Sequence, residues 1–480
     1  MIFITNLKVG RSRLEVDFAK LDRAFNPQCV AMVGGSLPFL WLHSQSPFKG
    51  KIYSVQVNPE TVKAIEASGI KNYASLLDVP EPIDLVIVSV PREVAPKIIE
   101  DCIRKEVAAV HFFTAGFSET DTEKGLKLEH SLAERVKQAN LHLIGPNCMG
   151  IYNPEIGLGQ IVWPYTGSAE PLAFISQSGT HATTFGQQAH LQGVGMSKAV
   201  SFGNGIVLDS PDYLEYFGRD PEIKAIGMYL EGVKDGKRLL KVLKEVSTRK
   251  PVVIWKGGRT EEGERAVASH TGSLAGSQAI WDAAVRQYGA VKVSGMQELI
   301  DALKALLYLP PVRGDKVGIV GGSGGQSVEI ADTFAEVGLK VPPLTQETCE
   351  ELATFFNLVG AGYRNPIDLG SNRSEVRRIM DILEHDANID NLVLLTGARF
   401  GKIETPKSDF DLLGNIRKKS SKPVMAVVAF STPEEMQSGR EAILQFQERD
   451  VPAFPSMNRA AYALKNALDY YSFKSGIDNQ

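Results

Sequence analysis

Three stretches of this 480-residue chain repeat one local design, and that design limits the fold more than any other feature. CVAMVGGS (29–36), PLAFISQSG (171–179) and KVGIVGGSGG (316–325) are each a short apolar run closed by glycine and serine. An apolar run without alternation reads as a strand buried on both faces. A tight Gly/Ser turn lets the backbone approach a ligand and open a helix. The runs recur at roughly 140-residue intervals, a plausible domain length. Proline-bearing junctions, IVWPYTGSAEP (161–171) and YLPPVRGD (308–315), separate them. The reading is α/β: three consecutive Rossmann-like or flavodoxin-like doubly wound domains with mainly parallel sheets, over 1–165, 166–312 and 313–480.

Further strand signals support the alternation. KIYSVQV (51–57), DLVIVSV (84–90), AAVHFF (108–113) and LHLIG (141–145) fall in the first unit, with helical stretches such as EVAPKIIEDCIRKE (93–106) between them. SKAVSFG (197–203), AIGMYLEG (225–232) and PVVIWKGG (251–258) fall in the second, NLVLLTG (391–397) and PVMAVVAF (423–430) in the third. A net charge of −4 shows no basic excess, so neither nucleic acid nor an anionic membrane is an expected partner. The four cysteines lie far apart with no CxxC pair, which suggests no metal site and no disulfide framework and fits a reducing cytoplasm. The opening MIFITNLKVGRSRLEVDF reads as neither a signal peptide nor a membrane span.

A dinucleotide fingerprint needs GxGxxG and an acidic residue ending the second strand. The first turn here is GGSLPF, and the second strand runs into VNP (57–59), so the ribose-binding carboxylate is absent. A nucleotide-like ligand can still sit at the strand ends, its phosphates at the helix N-terminus near Ser36.

FTAGFSE (113–119) and IGPNCMG (144–150) follow two more of the strands. Together with VGGS and VNP, in this order, they resemble the CoA-binding domain of the succinyl-CoA synthetase superfamily. SQSGT (176–180), SFGNG (201–205), YLEGVKDG (229–236), KGGRTEEGERAVASHTGSLAGS (256–277) and NPIDLG (365–370) extend the resemblance to the α subunit of ADP-forming (NDP-forming) acetyl-CoA synthetases, over nearly the whole chain.

That resemblance implies a set of roles. CoA would meet Gly34, Gly35, Ser36, Asn58, Pro59, Lys63, Val90, Pro91, Ala115, Gly116, Phe117, Glu119, Asn147 and Cys148. Phosphate and acyl phosphate would lie at Ser176, Gln177, Ser178, Gly179, Gly203 and Asn204. His270 of the SHTG segment would be transiently phosphorylated, with Glu231 as the carboxylate that orients its ring. A phosphohistidine collects phosphate at one place and delivers it at another, so a movable loop is expected, with Gly272 and Gly276 beside the histidine. The pattern AIWDAAVRQYG after it reads as a helix whose N-terminus favours the anion. Cys148 is expected to pack rather than to act as a nucleophile.

The family's full reaction also needs an ATP-grasp domain, and the three α/β units leave no spare segment for one; no GxxxxGK[ST] loop occurs either. The resemblance therefore implies an α-type subunit acting on CoA, phosphate and a small carboxylic acid. A β-type ATP-grasp partner would hold ATP or ADP and Mg²⁺. Two rivals remain open at this point. One is a non-catalytic CoA-sensing protein of the same fold. The other is a serine hydrolase using Ser323 in GGSGG, which matches GxSxG but has only His385 downstream.

Overall fold

The computed structural model describes residues 16–35, 40–160, 170–271, 278–397, 407–430 and 432–478. Runs such as Val30–Val33, at most 3% exposed, form the centres of three sheets covered by helices on both faces. The helix Ala95–Arg104 shows why the covering elements are helices: it buries Ala95, Ile98, Ile99 and Cys102, the spacing of one helical face.

The first sheet holds β1 (Cys29–Gly34), β2 (Lys51–Val55), β3 (Lys71–Tyr73), β4 (Leu85–Ser89), β5 (Ala109–Phe112) and β6 (His142–Ile144), all parallel. Its order is β3-β2-β1-β4-β5-β6, the arrangement of a dinucleotide-binding fold, with the direction of winding reversing between β1 and β4. Next come β7 (Gly150–Tyr152), β8 (Leu172–Ser176), β9 (Lys198–Ser201), β10 (Ala225–Leu230), β11 (Val252–Lys256) and β12 (Val291–Val293). They form a second sheet, β12-β11-β10-β8-β9-β7. Its five parallel strands follow a flavodoxin-like order, reversing between β8 and β10, and β7 closes the edge antiparallel to β9. The third sheet, β13 (Val317–Val320), β14 (Asn391–Gly397), β15 (Val424–Ala429) and β16 (Ala453–Phe454), is parallel throughout.

The predicted long strands are all present. Strands β3, β7, β12 and β16 were not foreseen. They are two or three residues long, too short to show a period. Strand β7 precedes the expected boundary at 165 yet pairs in the second sheet.

The units share cores rather than merely touching. Phe25, on the helix Phe18–Phe25, stacks on Tyr216 of the second unit with ring centroids 4.8 Å apart. The C-terminal helix Met457–Asp478 packs along the helix Met296–Tyr308. Between those helices, Arg459 donates from Nε and Nη2 to the buried Asp301 carboxylate at 2.6 and 2.7 Å. Beside them Lys304, fully buried, donates to Ala453 O at 3.0 Å. Burial pulls the Lys304 ammonium down to about 8, with Asp301 opposing.

This cluster sets a pH dependence. The folded value lies below the unfolded one, so the contribution of Lys304 is fully present above the unfolded pKa and is lost as pH falls through about 8. Lys304→Met removes a buried charge and should be at least as stable as the parent at pH 7, with that advantage shrinking as pH rises toward 10. Asp301→Ala strands two cations and should cost about 3–5 kcal/mol. Calorimetric Tm values across this pH range check both.

Candidate functional site

The C-terminal ends of the strands in the first sheet converge on one rim. Gly34 sits at the winding reversal, in register with Ser89, at φ +79°, and a side chain there would bring its Cβ within 2.5 Å of Ser89 O. Gly35 N donates to Ser89 O at 2.9 Å. Thr114 ties the neighbouring ends together: its hydroxyl donates to Val90 O (2.7 Å), and its carbonyl accepts from Asn147 N (3.1 Å). Asn58 caps the helix Pro59–Ala67 through Thr61 N, and Pro59 and Lys63 are exposed on its first turns. The structure thus brings Gly34, Gly35, Val90, Pro91, Ala115, Gly116 and Asn147 to one crevice edge. Ser36 lies outside the described residues.

Three side chains proposed for CoA do other work here. Phe117 is fully buried in the first core and can offer a ligand its backbone alone. Glu119 accepts from Gly116 N and Phe117 N, so it closes the amides of its own turn. Cys148 is 3% exposed, its thiol directed at Phe112 O, and burial drives its pKa far up. A thiol held protonated in an apolar core packs and does not attack.

The second sheet presents its own rim at its winding reversal, where Tyr229 is in register with Ser176. Gln177 Oε1 accepts from Glu231 N (2.8 Å) and Gly232 N (3.1 Å), locking the end of β8 to the end of β10. Ser176 Oγ donates to Ser178 O, and Ser178 caps the thirteen-residue helix Gly179–Leu191. Gly179 has no room for a side chain because its Cβ would lie 2.5 Å from Met149 Cγ.

Glu231 is 5% exposed, and its Oε1 accepts from Tyr229 OH at 3.2 Å. Lys256, at the end of β11, donates to Glu231 O at 2.7 Å and to Gly257 O. Burial lowers the Lys256 pKa while Glu231 and Glu264 oppose it. The His181 ring lies 4.3 Å from that of Tyr229 and 4.7 Å from that of Trp255; burial lowers its pKa, again against Glu231. Tyr229, Lys256 and His181 were not singled out as site residues from sequence. Two flank strand ends, where the position itself was the available signal.

The two rims meet. Gly203, at φ +51°, lies so close to the first unit that a Cβ would fall 2.2 Å from Asn147 O and 2.3 Å from Pro146 O. Asn204 N donates to Pro146 O. Its side-chain amide donates to Glu119 Oε2 (2.6 Å), Glu129 Oε2 (3.0 Å) and Ser118 Oγ (3.3 Å). Lys234 holds the same turn from behind, donating to Asn204 O and Gly205 O. Asn204 is therefore a latch between units. Two carboxylates occupy its donors, which are the donors a phosphate would use.

His270 lies in the last turn of the helix Glu261–Thr271, not in a loop as expected; the stretch EEGERAVASHT is rich in good helix formers. The described residues do not include its side chain or segment 272–277. Val267 packs over Gly258, just past β11, and the helix runs against the short turn Ser118–Thr120 of the first unit. The expected following helix is present as Gln278–Gln287. In the third unit Ser323 is the exposed cap of the helix Gly324–Glu336, bonded to Gln326. His385 Nδ1 bonds instead to Asp381 O, so the structure gives no support to a hydrolase triad.

These features define an α/β protein whose glycine-bearing strand ends gather at the winding reversals of two adjoining sheets, which meet in a turn-on-turn contact. Comparison with known proteins agrees. A family described as CoA binding domain matches residues 39–154, and one described as Succinyl-CoA ligase like flavodoxin domain matches residues 169–306. The ADP-forming acetate–CoA ligase I subunit alpha of Pyrococcus furiosus is 33% identical over 467 residues, covering 95% of this chain and 98% of its own. The ADP-forming acetate–CoA ligase I of Archaeoglobus fulgidus is 36% identical over 400 residues, 82% of this chain but 56% of that longer protein. A solved structure, the dinucleotide-forming acetyl-coenzyme A synthetase 1 of Ca. Korarchaeum cryptofilum in complex with phosphate and ADP, superposes with TM-score 0.83 at 30% identity, over 96% of this chain and 98% of that one. The chain belongs to the family of ADP-forming acetate–CoA ligases, as an alpha-type chain. It spans about half the length of some curated relatives and nearly the whole of others. No described helix is long and apolar enough to cross a membrane.

The latch carries a prediction. Asn204→Asp sets a third carboxylate against Glu119 and Glu129 and should lose about 1–3 kcal/mol at pH 7.5. One of the three must then titrate at a raised pKa. The deficit should shrink as pH falls toward 5, because a raised carboxyl contributes its stability below its unfolded pKa. Tm measured at both pH values tests this.

Proposed function

We propose that this chain is the α-type component of an ADP-forming acyl-CoA synthetase, interconverting acyl-CoA, ADP and phosphate with a carboxylic acid, CoA and ATP. One observation carries the proposal. The helix bearing His270 follows Lys256 and β11 in the chain and packs against the turn Ser118–Thr120 of the first unit.

In the reaction, a phosphate oxygen attacks the thioester carbonyl, the C–S bond breaks, and CoA leaves as the thiol. A His270 ring nitrogen then attacks phosphorus of the acyl phosphate, and the acid leaves as carboxylate. Finally an ADP oxygen takes the phosphoryl group and the N–P bond breaks. CoA occupies the crevice edged by Gly34, Gly35, Val90, Pro91, Ala115 and Gly116, where backbone groups approach a ligand closely. Phosphate lies at the start of the helix Gly179–Leu191, whose N-terminus favours an anion. Glu231, buried and anchored by Gln177, keeps the proton on the far nitrogen of His270 so that the attacking nitrogen is neutral. Lys256 offsets the carboxylate charge before the phosphoryl group arrives. ADP and Mg²⁺ belong to an ATP-grasp partner chain, which the proposal requires. The four cysteines are free thiols, as a cytoplasmic setting calls for.

The chain alone should make no ATP from acyl-CoA, ADP and phosphate, and an ATP-grasp partner should restore turnover. His270→Asn should abolish the phosphoenzyme and turnover while leaving CoA affinity within a few-fold. Glu231→Gln should slow phosphoenzyme formation by ~10²–10⁴. The double variant should cost little beyond His270→Asn, because the two act in one step. Rapid-quench measurement of acid-labile, base-stable phosphate decides among these outcomes. Full phosphorylation of the His270→Asn chain would remove this histidine from the reaction.

A further inference from the structure

A cavity of about 500 Å³ opens between the second and third units, lined by none of the strand-end residues described above. Its walls are the C-terminal half of the helix Gln278–Gln287, strand β12 and the C-terminal helix Met457–Asp478. A volume of this size at a junction between units is that of a small-molecule site.

The wall chemistry is uneven. Lys292 pairs with Asp282 at 2.5 Å, and Lys465 pairs with Asp469 one helical turn on. Those two pairs cancel. The guanidinium of Arg286, on the same wall, makes no hydrogen bond or ion pair among the described residues. The lining therefore keeps one uncompensated positive charge, on a planar fork suited to a carboxylate. Ala290, Val291, Tyr470 and Phe473 also line the cavity. Phe473 is fixed against Gly289, where a Cβ would fall 2.0 Å from its ring. The left-handed Gly289 also lets the helix carbonyls bond back, through Ala290 N to Val285 O and Gly289 N to Arg286 O. The helix end is thus already capped. Tyr470 is 2% exposed, and its hydroxyl has no hydrogen-bond partner.

We propose that this cavity binds a compact organic anion, a single carboxylate on an aromatic or apolar body, with the carboxylate on Arg286 and the body against Phe473 and Tyr470. Such a ligand ties the helix that follows segment 272–277 to the C-terminal helix, and so bears on the element leading away from His270. The binding inference itself does not rest on the catalytic proposal, since no residue of either strand-end crevice lines this cavity.

Titration calorimetry of the full chain with phenylacetate tests it, with 2-phenylethanol and inorganic phosphate as controls. Phenylacetate should saturate with Kd below about 1 mM. Each control should bind at least tenfold more weakly, one lacking the charge and the other the body. Arg286→Ala, which removes an exposed guanidinium that bonds to no described residue, should keep its Tm and lose at least about tenfold in phenylacetate affinity. In hydrogen exchange, phenylacetate should protect Gln278–Gln287 and Met457–Asp478. Absence of saturable binding, unchanged affinity in Arg286→Ala, phosphate binding as tightly as phenylacetate, or protection confined to the strand ends near Ser176 and Glu231 would each overturn the proposal. The last result would place the probe in the other crevice whether or not the variant folds.

Discussion

The site depends on one close approach of backbone to backbone. Gly203 stands where no side chain fits, against the carbonyls of Pro146 and Asn147. Only a glycine at positive φ brings the end of β9 onto the end of β6 at this distance. Without that contact the two rims would stand apart on separate sheets. With it, a helix of eleven residues in the second unit packs against the turn Ser118–Thr120 of the first.

Charge is arranged around this junction with the same economy of partners. The Asn204 amide stands between Glu119 and Glu129, neutral where a third acid would be repelled. Lys234 holds the turn by its carbonyls. Glu231 lies deeper, fixed through its backbone by Gln177 and through its carboxylate by Tyr229, with Lys256 on its carbonyl. A buried carboxylate held in this way is oriented before any ligand arrives, which is what a group that acts by orienting a histidine needs. Shared cores keep the rims from drifting: the Phe25–Tyr216 stack joins units one and two, and the Asp301–Arg459 pair joins units two and three.

Much of this was legible in the residue order. Long apolar runs marked the central strands, because strands buried on both faces need unbroken apolar sequence. The edge strands β3, β7, β12 and β16 escaped, since their pairing comes from neighbours and not from their own composition. The packing of Cys148 was expected, but not that Phe117 points into the core or that Glu119 caps its own turn. Turn residues read alike whether their donors face a ligand or each other.

The sequence by itself determined the three-unit α/β class, the placing of glycine-bearing turns at strand ends, and the pair Glu231 and His270 as candidates. The first two follow from local chemistry, period and apolar runs; the pair came from the resemblance of the SHTG and YLEG segments to a known family. Tertiary structure alone decided that β7 crosses into the second sheet, that Asn204 latches two carboxylates, and that the helix bearing His270 packs against the neighbouring unit. It also decided that a cavity whose lining holds, among the described residues, one unpaired cation opens beside the C-terminal helix. Each of these rests on contacts between segments dozens to hundreds of residues apart, and no local propensity encodes which distant backbone will come to lie against a given glycine.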